Sequence, residues 1–157
     1  MNNISPNFIT AVTNITCCIP IYYSYINSDI KTMVAISLVS IASIISHLAE
    51  NHKHGMPGCL NMTHQQSFLL NRLDVLGCLV TIMRFGYLYW KKYSWSLSPL
   101  LKNPIRLLCL IAPIILLRIS EYDNMNKNLR PRYLFFHSLW HLTIFPSMAY
   151  FLNFFIY

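Results

Sequence analysis

Long apolar runs separated by short polar connectors organise this chain from end to end. Five runs stand out, at about Phe8–Ile26, Lys31–Ala49, Leu69–Trp90, Pro104–Ile119 and Tyr133–Tyr157. A helix needs roughly 20 mostly apolar residues to cross the hydrocarbon core of a bilayer. The pattern therefore predicts an all-α integral membrane helical bundle of about five transmembrane helices, forming one domain over residues 1–157. The fourth run is the shortest; it starts at Pro104 or near Leu97, and Pro104 and Pro113 kink it. Between the runs lie a tight turn at Asn27–Asp29, a His/Asn-rich loop from Glu50 to Gln66, a basic loop around Lys91 and Lys92, and a mixed loop from Glu121 to Arg132. Tyr22, Tyr23, Tyr89, Trp90 and Tyr133 fall near run ends, where aromatic rings settle at the membrane–water interface.

Composition supports lipid as the solvent. Charged residues make up 11% of the chain, against about 25% in soluble domains, while apolar residues reach 55% and aromatics 14%. The formal charge of +7 is spread between the runs, with no Lys/Arg block or aromatic-interleaved basic stripe, so no nucleic-acid partner is expected. Cys17, Cys18, Cys59, Cys78 and Cys109 form no CxxC pair and sit mostly in apolar stretches, which speaks against a disulfide framework or a thiolate zinc site. The N-terminus lacks a basic n-region, so its first run is expected to remain as a span rather than be cleaved.

Call the N-terminal side of the bundle A and the opposite side B. With five spans, Lys53, Arg72, Arg118, Lys127, Arg130 and Arg132 flank side A, and Lys31, Lys91, Lys92, Lys102 and Arg106 flank side B. That balance leaves the positive-inside rule undecided. The glycosylation triplets Asn3-Ile-Ser5 and Asn61-Met-Thr63 lie on side A and hint that it is lumenal or extracellular. Arg84 is expected to snorkel or line the bundle, and Glu50, His52, His54 and His64 to be solvated in their loop.

The chemistry lies in His47, Asp74, His137 and His141, with Ser43 one turn before the first. An ionisable group inside an apolar span is costly and points to function. Chain direction brings all four to one end. The second span ends on side A near His47, the third starts there with Asp74 about one turn in, and the fifth starts there with His137 and His141. The last two are i and i+4, hence one turn apart on one helix face. Two such imidazoles can grip one metal ion, and a third from span 2 completes three nitrogen ligands with a fourth tetrahedral position left for water, as in catalytic zinc sites. Asp74 would then bond that water or orient a ligand, with Ser43 facing the same cavity. The same residues also fit a metal-free bundle in which histidines bond neighbouring carbonyls or serines and glue helices together.

At these positions the sequence resembles the CREST superfamily, which includes alkaline ceramidases, the progestin and adipoQ receptors and the myomaker group. Its pattern is Ser-x-x-x-His in the second helix, Asp in the third and His-x-x-x-His in the last; here it reads Ser43-Ile-Ile-Ser-His47, Asp74 within Asn-Arg-Leu-Asp-Val-Leu-Gly, and His137-Ser-Leu-Trp-His141. The His-Ser-Leu-Trp-His run looks most like the myomaker branch. The resemblance implies zinc on His47, His137 and His141 with Ser43 and Asp74 beside it. The family has seven helices, so this chain would be a shortened version lacking a pair between the Asp helix and the last, a loss that preserves the side of the final histidines. The N-terminal acidic residues of ceramidases are absent.

Two functions follow. One is a zinc-dependent hydrolase of a lipid amide or ester, with membrane lipid as environment and substrate, Asp74 as base and Ser43 holding the oxyanion. The other is a non-enzymatic, myomaker-like or receptor-like membrane protein with a structural zinc.

Overall fold

The computed structural model describes residues 6–49, 58–123 and 125–157, and among these every regular element is helical. The Asn3–Ser5 triplet and Glu50, His52, Lys53 and His54 lie outside the described residues. The first rod consists of α1 (Pro6–Thr13), a 3-10 segment (Asn14–Cys17) and α2 (Cys18–Ile26). Its tightened middle has a local cause. The side chains of Thr13 and Asn14 bond the Thr10 carbonyl, that of Thr16 bonds the Thr13 carbonyl, and Pro20 has no N–H to offer the Thr16 carbonyl. Side chains competing for carbonyls and a missing donor both loosen the i to i−4 ladder.

The turn at Asn27–Asp29 leads into α3 (Ile30–Ala49), with Ser28 at φ 56°. Helix α4 (His64–Tyr93) begins earlier than the apolar run does, so His64 opens a helix and is exposed on it. A capping box supplies the start: Gln66 N–H donates to Thr63 Oγ1 at 3.3 Å, and Thr63 N–H to Gln66 Oε1 at 2.9 Å. The short α5 (Ser98–Leu101) is separate from α6 (Pro104–Ser120), which starts where Asn103 Oδ1 accepts from Ile105 N–H at 2.9 Å. After a 3-10 turn, α7 (Arg130–Phe151) runs into a π-helical end at Leu152–Ile156.

The helices form an open arc. α3 packs on α4, α6 on α7, and the first rod lies against both α3 and α7, while α4 and α6 form the two edges. Backbones approach closely where α3 meets α4: a Cβ on Gly77 would stand 3.1 Å from Val39 Cα, so any larger residue there would push the two helices apart by a few tenths of an ångström. Polarity is inverted relative to a soluble fold. Among the described residues, buried polar side chains such as Asn7, Thr10, Asn14, Ser43, Asp74 and Ser120 outnumber buried apolar ones, while Ile15, Leu38, Ile82, Met83, Ile114 and Phe135 lie exposed. Three helical stretches, Asn7–Ile26, Ile30–Ala49 and Lys127–Ile156, are long and apolar enough to cross a membrane. α6 is shorter, at 17 residues, and α4 carries Arg72, Asp74 and Arg84 along its 30.

Candidate metal centre

α3 and α7 meet through three imidazoles. The ring centroids of His47 lie 4.9 Å from His137 and 5.0 Å from His141, and those of His137 and His141 are 4.9 Å apart. One ligand atom from each lies within 4.8 Å of the others. Helix geometry explains the convergence. His137 and His141 share the face of α7 that also buries Tyr133 and Phe145, a stripe spaced every four residues. His47 belongs to the buried face of α3 with Ile36, Ser40 and Ser43.

Hydrogen bonds settle which ring nitrogen faces the cluster. His141 Nδ1 lies 2.9 Å from Thr13 Oγ1, and that hydroxyl donates to the Thr10 carbonyl at 2.6 Å. With its one proton spent there, Thr13 can only accept from His141 Nδ1–H; the Thr10 carbonyl, 3.2 Å from Nδ1, can also only accept. Asn14 Nδ2 also lies 3.3 Å from Nδ1, but its protons are directed at the Thr10 and Ala11 carbonyls, so the two acceptors place the proton on Nδ1 and leave a lone pair on the buried Nε2, which has no hydrogen-bond partner. His137 repeats the device. Ser120 Oγ donates to the Leu117 carbonyl at 2.7 Å and lies 3.2 Å from His137 Nδ1, and Glu121 Oε1 is 3.3 Å from the same nitrogen. Hydroxyl and carboxylate both accept, so His137 also carries its proton on Nδ1.

This donor set fits a metal ion. His137 and His141, each with an Nε2 lone pair and an Nδ1–H held by a carboxylate or hydroxyl relay, have the arrangement by which proteins orient zinc ligands, and His47 adds a third ring. Tetrahedral bonds of about 2.0 to 2.1 Å put ligand nitrogens about 3.4 Å apart, so the observed set needs to close by little more than an ångström. Among the described residues no fourth His, Cys, Asp or Glu joins the three, which leaves one tetrahedral position over.

Of the residues singled out from the sequence, His47, His137 and His141 are brought together. Asp74 is buried on α4 but stands outside the converging set. Ser43 is buried one turn before His47, and its Oγ makes no hydrogen bond. Sequence reading missed the supporting residues. Thr10, Thr13 and Asn14 read as ordinary polar residues of an apolar run, although Asn7, Thr10 and Asn14 at i, i+3 and i+7 already marked one polar face of the first helix. Glu121 read as part of a loop; it follows the last residue of α6 and so reaches His137. Of the two expectations for Arg84, it lines the bundle: its Nη2 donates to Asp29 Oδ1 at 2.7 Å and its Nε to Thr32 Oγ1 at 2.9 Å, closing an ion pair at side B.

No family model matches the chain, and no solved structure matches it. A protein of Acanthamoeba polyphaga mimivirus, described as "Uncharacterized protein L282", is 45% identical over 151 residues, which span 96% of this chain and 99% of that one. With such identity over nearly the whole of both chains, the protein belongs to the same family as this mimivirus protein.

Proposed function

We propose that the chain is a five-span integral membrane protein of CREST type that holds one zinc ion on His47, His137 and His141 and hydrolyses a lipid amide or ester. The observation that carries this reading is the convergence of three buried imidazoles, two with assigned Nε2 lone pairs, and no fourth protein ligand among the described residues. Three ligands and one open position is the pattern of catalytic rather than structural zinc. The membrane assignment draws support from the inverted polarity and from the match of α1–α2, α3, α4, α6 and α7 to the five apolar runs.

Zinc, when bound, supplies Lewis acidity toward a carbonyl and toward water. The chain's own residues do the rest. Thr13 and the pair Ser120 and Glu121 fix the ring orientations of His141 and His137. Asp74, a carboxylate in a buried setting, accepts the proton of the attacking water. Ser43, with an Oγ that bonds nothing else, donates to the oxygen on which charge develops. His47 at the end of α3 and His137 near the start of α7 would hold the metal toward one end of the bundle, where a lipid head group would be closer than its chains.

A second reading, structural zinc in a myomaker-like protein, is favoured by how closed the site is: His47, His137 and His141 are 2%, 4% and 1% exposed. The test joins two measurements on detergent-purified protein: metal content, and hydrolysis of fluorescent lipid amides and esters in vesicles. One zinc per chain with turnover that disappears in Asp74→Asn, while zinc stays, is the expected result. Zinc retained without turnover on any lipid would hand the case to the structural reading. Absence of metal, unchanged by a His137→Ala/His141→Ala double variant, would overturn both.

A further inference from the structure

The open side of the arc holds a groove that shares no histidine with the metal centre. It has a volume of about 360 Å³ and lies between α4 and α6 on the side-B half, walled by Ile82, Phe85, Leu110, Ile144, Met148 and Phe151. Its size falls in the range of ligand pockets, about 300 to 1,000 Å³. The walls are almost wholly apolar, and one charge, Arg106, enters them.

Arg106 is built in, not snorkelling. Its Nη1 donates to the Pro99 carbonyl at 2.8 Å, its guanidinium carbon lies 4.5 Å above the Phe155 ring, and its Nε is buried with no hydrogen-bond partner. Among the described residues it forms no ion pair. It also sits in the first turn of α6, where no acidic residue offsets the positive end of the helix dipole. Lys91, Lys92 and Lys102 flank the same end. The acid on this side, Asp29, is already held by Arg84 at 2.7 Å. The cation at the groove mouth thus stays uncompensated by protein. Trp95 and Tyr89 line the same end, as aromatic rings do at head-group depth.

We propose that this groove binds an anionic phospholipid of the surrounding bilayer, with one acyl chain between α4 and α6 and the phosphate on Arg106. A planar guanidinium matches phosphate oxygens with paired donors. An apolar trough too open to stay dry in water is filled by a hydrocarbon chain in a membrane. Basic pockets between helices at the membrane face are where charged head groups collect. The inference rests on the membrane reading and not on the metal, so loss of zinc or activity leaves it standing.

Trp95 provides the readout. The full chain, with Trp90→Phe and Trp140→Phe so that Trp95 alone reports, is reconstituted into phosphatidylcholine vesicles containing a small fraction of brominated phosphatidylglycerol or brominated phosphatidylcholine. Brominated chains quench a tryptophan they touch. The expected result is apparent affinity for the anionic lipid about fivefold above that for the zwitterionic one, the scale of one basic residue near a membrane surface. Arg106→Gln should equalise the two, and Arg106→Lys should keep part of the preference. Gly86→Leu should lower quenching by both lipids, since a Cβ there meets only Trp95 at 3.6 Å and a longer side chain runs into the groove. Unchanged helical circular dichroism confirms that each variant folds. Equal quenching by the two lipids in the parent protein would overturn the proposal. So would an Arg106→Gln variant that keeps the full preference, or a Trp95 shielded from both lipids by a second copy of the chain in cross-linked dimers.

Discussion

Two polar clusters, one around Asp29 at side B and one around the histidines at side A, are buried in opposite ways. At side B, Asp29 is saturated: it accepts from Thr32 N–H at 3.1 Å, Thr32 Oγ1 at 2.6 Å, Arg84 Nη2 at 2.7 Å and the Tyr157 hydroxyl at 3.2 Å. Four acceptor contacts leave its carboxylate no capacity for a ligand. At side A, His141 Nε2, Ser43 Oγ, Thr10 Oγ1 and Asn14 Oδ1 are buried without a hydrogen-bond partner. A buried polar atom left unmatched costs about 1 to 3 kcal/mol, so an ion or water bound among these groups would be stabilised there more than at the saturated Asp29. Saturated polarity fastens helices together; surplus polarity marks a site.

The comparison breaks most sharply if the metal ligands are removed. His137→Ala/His141→Ala should lower bound zinc from one per chain to background, read by elemental analysis of purified protein, while leaving the Asp29–Arg84 pair in place. Next in size is side B itself. Arg84→Met leaves Asp29 without its cation in a largely buried setting, the pair's side chains being 18% and 11% exposed. Stability should fall by about 3 kcal/mol, the lower end for breaking a buried pair, as measured by thermal unfolding in detergent. Zinc content should not change, because no residue of the pair touches the histidines.

Relay residues sharpen the contrast. Thr13→Val removes the nearer acceptor of His141 Nδ1–H, at 2.9 Å against 3.2 Å for the Thr10 carbonyl, and zinc affinity should drop roughly 10- to 100-fold, the usual cost of losing a partner behind a metal ligand. Competition with a zinc chelator measures it. Glu121→Gln should do less, at the low end of that range, because Ser120 still accepts from His137 and Glu121 is 26% exposed.

The smallest effect is a pH dependence that Asp29 contributes at side B. Burial works to raise the Asp29 pKa, but the hydrogen bonds from Thr32 and the charge of Arg84 outweigh it and hold it below the ordinary 3.8. A depressed carboxylate contributes stability that is fully present above the unfolded pKa and fades as pH falls through the folded one. Unfolding temperature should therefore decline below about pH 4 in the parent protein and less steeply in Asp29→Asn.

Much of this was legible in the chain. Residence in lipid is a sum of local transfer energies, so the apolar runs mark where the long helices lie without reference to neighbours. The boundaries that shifted did so for local reasons that runs of hydrophobicity do not carry: the Thr63–Gln66 capping box starts α4 early, and Asn103 separates α5 from α6. Spacing also placed His137 and His141 on one face, and chain direction assigned them to the end where His47 lies.

Nothing in the order of residues could say what lies behind the rings. Thr13 meets His141 across 128 positions, Ser120 meets His137 across 17, and Arg106 enters a groove bounded by residues from Thr81 to Phe155. Hydrogen bonds depend on distances of a few tenths of an ångström and on which donor is already spent, and such facts exist only once separate helices are packed. Apolar content and helical period, being local, determined the helices and the ligand types. Tertiary packing decided the tautomers, the relays and the open edge of the arc.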